Sequence, residues 1–216
     1  MRNLSYTLVA DGRFDRVLRF PINWLLEQWA NIPVSGYWAD PNVYPKTNQR
    51  LQDKIANAVE YYPCELIFIH RDSETKPRDQ RVLEIKRALD KANVPVPPAV
   101  CIIPVRMTEA WLLFNEERLR QASGNPRGRQ ALDLQKMQGI ESIADPKALL
   151  HRLLRDASGA TGRRKKLFNV KKAAYRLAEL VDDFSILRGL AAFDAFEKEL
   201  QRVLKQNGWL REKENG

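Results

Sequence analysis

Leu66-Ile67-Phe68-Ile69-His70-Arg71-Asp72-Ser73-Glu74 is the stretch that decides the fold. Four β-formers in a row, with no polar residue among them, read as a strand buried on both faces. That is the signature of a parallel sheet covered by helices. The run ends abruptly in charge, so its polar residues fall at the carboxyl end of the strand, the edge where open α/β sheets bind ligands. Leu8-Val9-Ala10-Asp11-Gly12 repeats the pattern earlier in the chain. Two such strands would deliver Asp11, Asp72 and Glu74 to one rim as a cluster of hard oxygen donors. Such donors suit Mg²⁺, which keeps several waters and takes one or two carboxylates plus substrate phosphates. The first expectation is therefore a metal-dependent site for phosphate chemistry.

Working outward, strands are expected over residues 5–11, 34–38, 65–69 and 100–105. Helices are expected between them, over about 15–30, 48–61 and 78–92. Pro21 should kink or split the first helix. The alternation is a βαβ pattern, hence an α/β fold with a four-stranded, mostly parallel sheet and helices on its faces. After Met107 no strand is evident. Residues 108–121, 145–157, 170–180 and 192–206 all carry helical periodicity, while Gly124–Gly128 and Gly159–Gly162 read as loops. The expected organisation is an α/β domain over 1–115, followed by a basic all-helical region over 116–216 that packs on or beside it.

The charge is unevenly distributed. The chain has 216 residues, 36 Lys and Arg, 27 Asp and Glu, and a net charge of +9. Ten of the basic residues lie between Lys147 and Arg176, against one acid, Asp156. Outside that segment 26 basic residues face 26 acidic ones, so the whole excess is local. Arg163, Arg164, Lys165 and Lys166 form its densest part, with Lys171 and Lys172 just beyond. A solvated helix face normally mixes signs, and this asymmetry favours a polyanion, DNA or RNA, with an acidic protein as the other candidate partner. No apolar run is long enough to span a bilayer and the start lacks a signal peptide's apolar core. No membrane association and a cytoplasmic location are expected. Cys64 and Cys101, without a partner spacing, read as free thiols and offer no zinc ligand set.

The candidate residues carry alternative readings. Asp11 before Gly12 is a ligand or base candidate, and Asp11 or Asp15 is equally a ready helix cap. Asp72 and Glu74, two apart in an extended segment, point the same way and would share one cation; a solvated loop is the plainer account. Glu109, in Thr108-Glu109-Ala110-Trp111, follows the fourth strand and is a further metal-ligand candidate, or simply an acid in a helix's first turn. His70 shares the side of Asp72 and reads as a supporting partner of that carboxylate. Arg71 and Arg78 flank the acids and are candidates to hold a phosphate, with plain surface charge an equal account. No nucleophile elbow, phosphate-binding Gly-Lys-Ser/Thr loop or dinucleotide fingerprint occurs.

The pattern resembles a Toprim domain, the topoisomerase–primase fold. That family sets an acid at the end of its first strand and an Asp-x-Asp pair at the end of a later one. Asp11 matches the first position and Asp72-Ser73-Glu74 the pair, with Asp for Glu and Glu for Asp. The Thr108-Glu109-Ala110-Trp-Leu-Leu stretch is similar to a segment of an uncharacterised bacterial Toprim-like family associated with phage defence. The resemblance covers about residues 4–115. It implies a Toprim-like (Rossmann-like) sheet and Mg²⁺- or Mn²⁺-dependent cleavage of a nucleic-acid phosphodiester, in an antiviral system with a separate ATPase partner. Asp11, Asp72 and Glu74 would be catalytic, the same three with Glu109 would hold metal, and His70 and Arg71 would support them. The alternative keeps the fold without the reaction, as a catalytically inactive module that binds nucleic acid or protein.

Overall fold

The computed structural model describes residues 3–43 and 50–212. It contains four strands, β1 (Leu4–Val9), β2 (Val34–Trp38), β3 (Leu66–His70) and β4 (Ala99–Ile102), all parallel, in the order β2-β1-β3-β4. Every residue of β3 is buried. A central strand covered on both sides has no solvent-facing position for a polar residue, which is why its sequence shows no alternation. Register sets Leu8 beside Phe68 and Val9 beside Ile69 on one flank, and Ile69 beside Cys101 on the other.

Helices α1 (Arg19–Trp29), α2 (Leu51–Tyr61) and α3 (Arg78–Lys91) connect the strands. Ile67 and Ile69 join Ile55 and Ala58 of α2 and Ile85 and Ala88 of α3 in one cluster. Phe68 points the other way, edge-on to Tyr6 at 5.1 Å and to Phe196 at 6.1 Å between ring centroids. The Tyr6 ring lies so close to β2 that a Cβ on Gly36 would meet it at 2.1 Å, so only glycine fits there. Pro21 does not break α1. It sits in the helix's first turn, where no N–H is needed, and the split falls earlier, at a 3-10 turn over Phe14–Leu18. The expected start of α2 at Asn48 lies outside the described residues.

The chain divides into two compact units. The first holds the sheet and runs to Ile103, then resumes from Asp194 with most of α9 (Ala191–Gln206). The second is Pro104–Phe193, with α4 (Glu116–Ala122), α5 (Met137–Ile140), α6 (Pro146–Ala157), α7 (Gly162–Leu167) and α8 (Val170–Leu180). The boundary read at 115/116 therefore falls inside the second unit, and the final helix belongs with the sheet. The continuous helix expected over 108–121 is a 3-10 turn at Thr108–Leu112 followed by α4. Asn115 makes the break, because its side chain accepts the Arg118 N–H and starts a new helix. Asp145 and Asn169 start α6 and α8 in the same way. Leu119, Leu150, Leu153, Leu154, Ala174 and Leu177 form the buried interior of this unit. No helix among the described residues is long and apolar enough to cross a membrane.

Candidate functional site

From β1 the chain steps one way to β2, then crosses back over β1 to reach β3 and β4. That reversal puts a topological switch point between β1 and β3, where the carboxyl ends of adjacent strands diverge and leave a crevice. Asp11 and Gly12 leave β1 at this point, and Arg71, Asp72 and Ser73 leave β3. The register of the two strands thus brings the two sequence motifs to one rim.

At the rim the acids meet cations. Arg71 Nη1 lies 2.7 Å from each Asp11 oxygen, and Lys54 Nζ of α2 lies 3.1 Å from Oδ1. Burial alone would raise the Asp11 carboxyl, but the Arg71 and Lys54 charges outweigh it and hold it below its usual range. Arg71 Nη2 continues to Glu84 at 2.9 Å, and Glu84 reaches Arg81 Nη1 at 2.7 Å. Arg81, itself buried, reaches Glu74 through Nη2 at 2.9 Å. The result is an alternating chain of ion pairs: Lys54, Asp11, Arg71, Glu84, Arg81, Glu74.

Glu74 does not stand beside Asp72 as the extended spacing suggested. The backbone turns between Ser73 and Lys76, closed by a 2.8 Å Lys76 N–H to Ser73 carbonyl bond, and Glu74 has φ +52°. The left-handed residue sends its carboxylate to α3. Asp72 lies instead beside His70, with Oδ1 3.1 Å from Nε2. The other ring nitrogen, Nδ1, is 3.6 Å from Oδ2 of Asp15, which also accepts the Gly12 N–H at 2.8 Å. His70 is completely buried. Burial by itself pushes its pKa down, but the Asp72 hydrogen bond and the charges of Asp15, Asp72 and Asp11 leave it raised. A buried imidazole between the carboxylates of Asp15 and Asp72 is the centre of the rim.

Glu109 belongs to the second unit, where it is buried and its carboxylate lies 3.5 Å from Lys147 Nζ. Among the described residues no three His, Cys, Asp or Glu side chains are grouped so as to hold a metal ion. The expected ligand set of Asp11, Asp72, Glu74 and Glu109 is therefore not assembled as a cluster; its carboxylates face guanidinium, ammonium and imidazole groups instead. Arg71 and Lys54 hold Asp11, Arg81 holds Glu74, Lys147 faces Glu109 and His70 lies beside Asp72, so a divalent cation would have to displace such partners. Sequence reasoning weighed Asp15 only as a cap, and missed Lys54, Arg81 and Glu84. The Arg81–Glu84 spacing on α3 was the one visible sign of the network.

The basic segment differs. Arg163, Arg164, Lys165 and Lys166 form most of helix α7, every residue of which is at least partly exposed. Among the described residues neither these four nor Lys171 and Lys172 at the start of α8 make an ion pair. The basic segment also acts on a neighbour. The His151 pKa is lowered, by burial first and then by Arg155, Lys147 and Lys171.

No protein-family model, curated protein or solved structure matches the chain. The fold and the two sites define it as a parallel α/β protein with a paired charge network at its switch point and a basic helical unit.

Proposed function

We propose that the chain is a nucleic-acid-binding protein that grips the phosphate backbone with the basic surface of its second unit. The observation that carries this reading is the group of exposed cations on α7 and α8, which no carboxylate among the described residues neutralises. Leaving six cations unpaired costs self-repulsion, and a polyanion relieves it by releasing its own condensed counterions. Outside residues 147–176 the chain is neutral in sum. Phosphate contacts position a protein without specifying sequence, and binding should be nearly sequence-independent.

Salt dependence tests it. Four phosphate contacts give a log–log slope of about −3 to −4 on duplex DNA, at about −0.9 per contact. Changing Arg163, Arg164, Lys165 and Lys166 together to Ala should remove that part of the slope and weaken binding on every sequence alike. A slope unchanged in the quadruple variant would redirect the partner to an acidic protein.

The second reading is Toprim-type cleavage of a phosphodiester, and the gathering of Asp11 and Asp72 at the switch point favours it. A divalent cation would supply charge stabilisation at the phosphate. Asp72 would be its first ligand, and Asp11 would join only on giving up Arg71 and Lys54. This reading, with its defence role and ATPase partner, stands or falls on Mg²⁺- or Mn²⁺-dependent cleavage that Asp72→Ala abolishes.

A further inference from the structure

The first unit holds a second collection of cations, separate from the basic helices. An open cleft of about 710 Å³ lies between α2 and α3, and Arg50, Arg71, Lys76, Arg87 and Lys91 line it, with Glu84 as the acid among its described lining residues. Gln80, Glu84, Arg87 and Lys91 recur along one stripe of α3, about 16 Å from end to end at 1.5 Å per residue. Helix electrostatics explains only part of this. Cations in the last turn of α3 complement its dipole, but Arg50, Arg71 and Lys76 come from three other segments and converge on the same hollow.

The cations of the cleft are of two kinds. Arg71 is fixed by Asp11 and Glu84, and Arg50 is paired with Asp53 at 3.3 Å. Lys76, Arg87 and Lys91 are exposed and make no ion pair among the described residues. A concave surface with an excess of one sign, here five cations to one acid among the described lining residues, focuses its field and concentrates counter-ions more strongly than the same charges on a flat face. Leu83, 46% exposed, gives the same hollow an apolar patch.

From this we infer that the α2–α3 cleft is a nucleotide-phosphate site: Lys76, Arg87 and Lys91 hold successive phosphates, and an apolar base surface lies against Leu83. The shared chemistry is a chain of phosphates bearing a base, found in a free nucleoside triphosphate and in a single nucleic-acid strand. The site is independent of α7, so it stands whether or not the basic helices bind nucleic acid.

The experiment titrates the full chain with ATP and with an eight-nucleotide oligothymidylate, at about 0.1 M salt so that distant charges are screened. It is repeated on Lys76→Gln/Arg87→Gln/Lys91→Gln and on the quadruple α7 variant. All three glutamines replace exposed side chains, and matching thermal melts establish that the variant is folded. The expected result is at least about a tenfold loss of affinity in the triple variant for at least one probe; for ATP that loss is absent from the α7 variant, and for the oligonucleotide it adds to any loss that the α7 variant shows. Loss for ATP identifies the free nucleotide as a source. Loss for the oligonucleotide alone identifies a strand and comes with a salt slope shallower by about 2, at about 0.7 per contact. The inference is overturned if neither probe binds the wild-type chain, or if the triple variant binds both as the wild type does.

Discussion

The rim of the sheet and the helices α7 and α8 are both rich in charge, yet they use it in opposite ways. At the rim each cation is answered by a carboxylate. Arg71 and Arg81 are tied on both sides, and even the buried imidazole lies between Asp15 and Asp72. On α7 and the start of α8 the cations face solvent without acidic partners among the described residues. Buried charge must be paired or the fold loses stability, whereas exposed charge need not be and remains available to a ligand. The same residue types thus serve cohesion at the rim and recognition on the basic helices.

The sharpest way to break that contrast is to remove charge from each region and read both binding and stability. The quadruple Ala variant of Arg163, Arg164, Lys165 and Lys166 should lose most nucleic-acid affinity at moderate salt, measured by fluorescence anisotropy. Its Tm should stay within about 2 °C of wild type, because surface substitutions rarely matter to stability. Glu84→Ala should do the reverse. It takes one of two carboxylate partners from the buried Arg81 and one of two from Arg71; discounted for the partial exposure of Glu84, the cost is about 2 kcal/mol, or about 4–8 °C in Tm. Equal stability losses in the two variants would erase the distinction.

A smaller effect appears in the pH dependence of stability. His70 has a raised pKa in the fold, so its charge contributes fully below about pH 6.5 and the contribution fades as pH rises through the raised value. The Tm gap between wild type and His70→Gln should therefore be wider at about pH 5.5 than at about pH 9. Asp11 is lowered and has the opposite sign. Its contribution is present above about pH 4 and is lost as pH falls through the lowered value, so the gap to Asp11→Asn should close in acid. A pH-independent gap in either case would mean that the side chain acts by packing alone.

The smallest signal comes from His151. Its pKa is lowered by burial and then by surrounding cations. A polyanion bound to the second unit should offset the cations and raise it, seen as a displaced imidazole titration by NMR. The triple variant in the α2–α3 cleft should leave that displacement intact, since it alters no residue of the second unit.

Much of the fold was legible because burial on both faces leaves an unmistakable trace. β2 and α8 fall at the boundaries that periodicity gave, and β3 is displaced by one residue. Capping residues Asn115, Asp145 and Asn169 were equally visible as letters, though only Asp145 had been placed at a helix start. The candidate site was legible as a location but not as a geometry. Asp72 and Glu74 share a direction only while the backbone stays extended, and a left-handed residue at Glu74 ends that condition. Nothing in the local sequence demands φ > 0 there, since glycine or asparagine would be the usual sign.

By itself, then, the sequence determined the parallel α/β class, the two motifs at strand ends and the confinement of all net charge to residues 147–176. Each follows from period, composition or adjacency, which are local properties of the chain. Tertiary structure alone decided that Asp11 faces Arg71 across sixty residues, that Glu84 bridges two arginines, that Asp15 and Asp72 clasp His70, and that the last helix returns to the sheet unit. The reason is that an ion pair depends on where two strands and a helix end in space. A sequence records which charges exist, and only the packed sheet assigns each one its partner or leaves it to solvent.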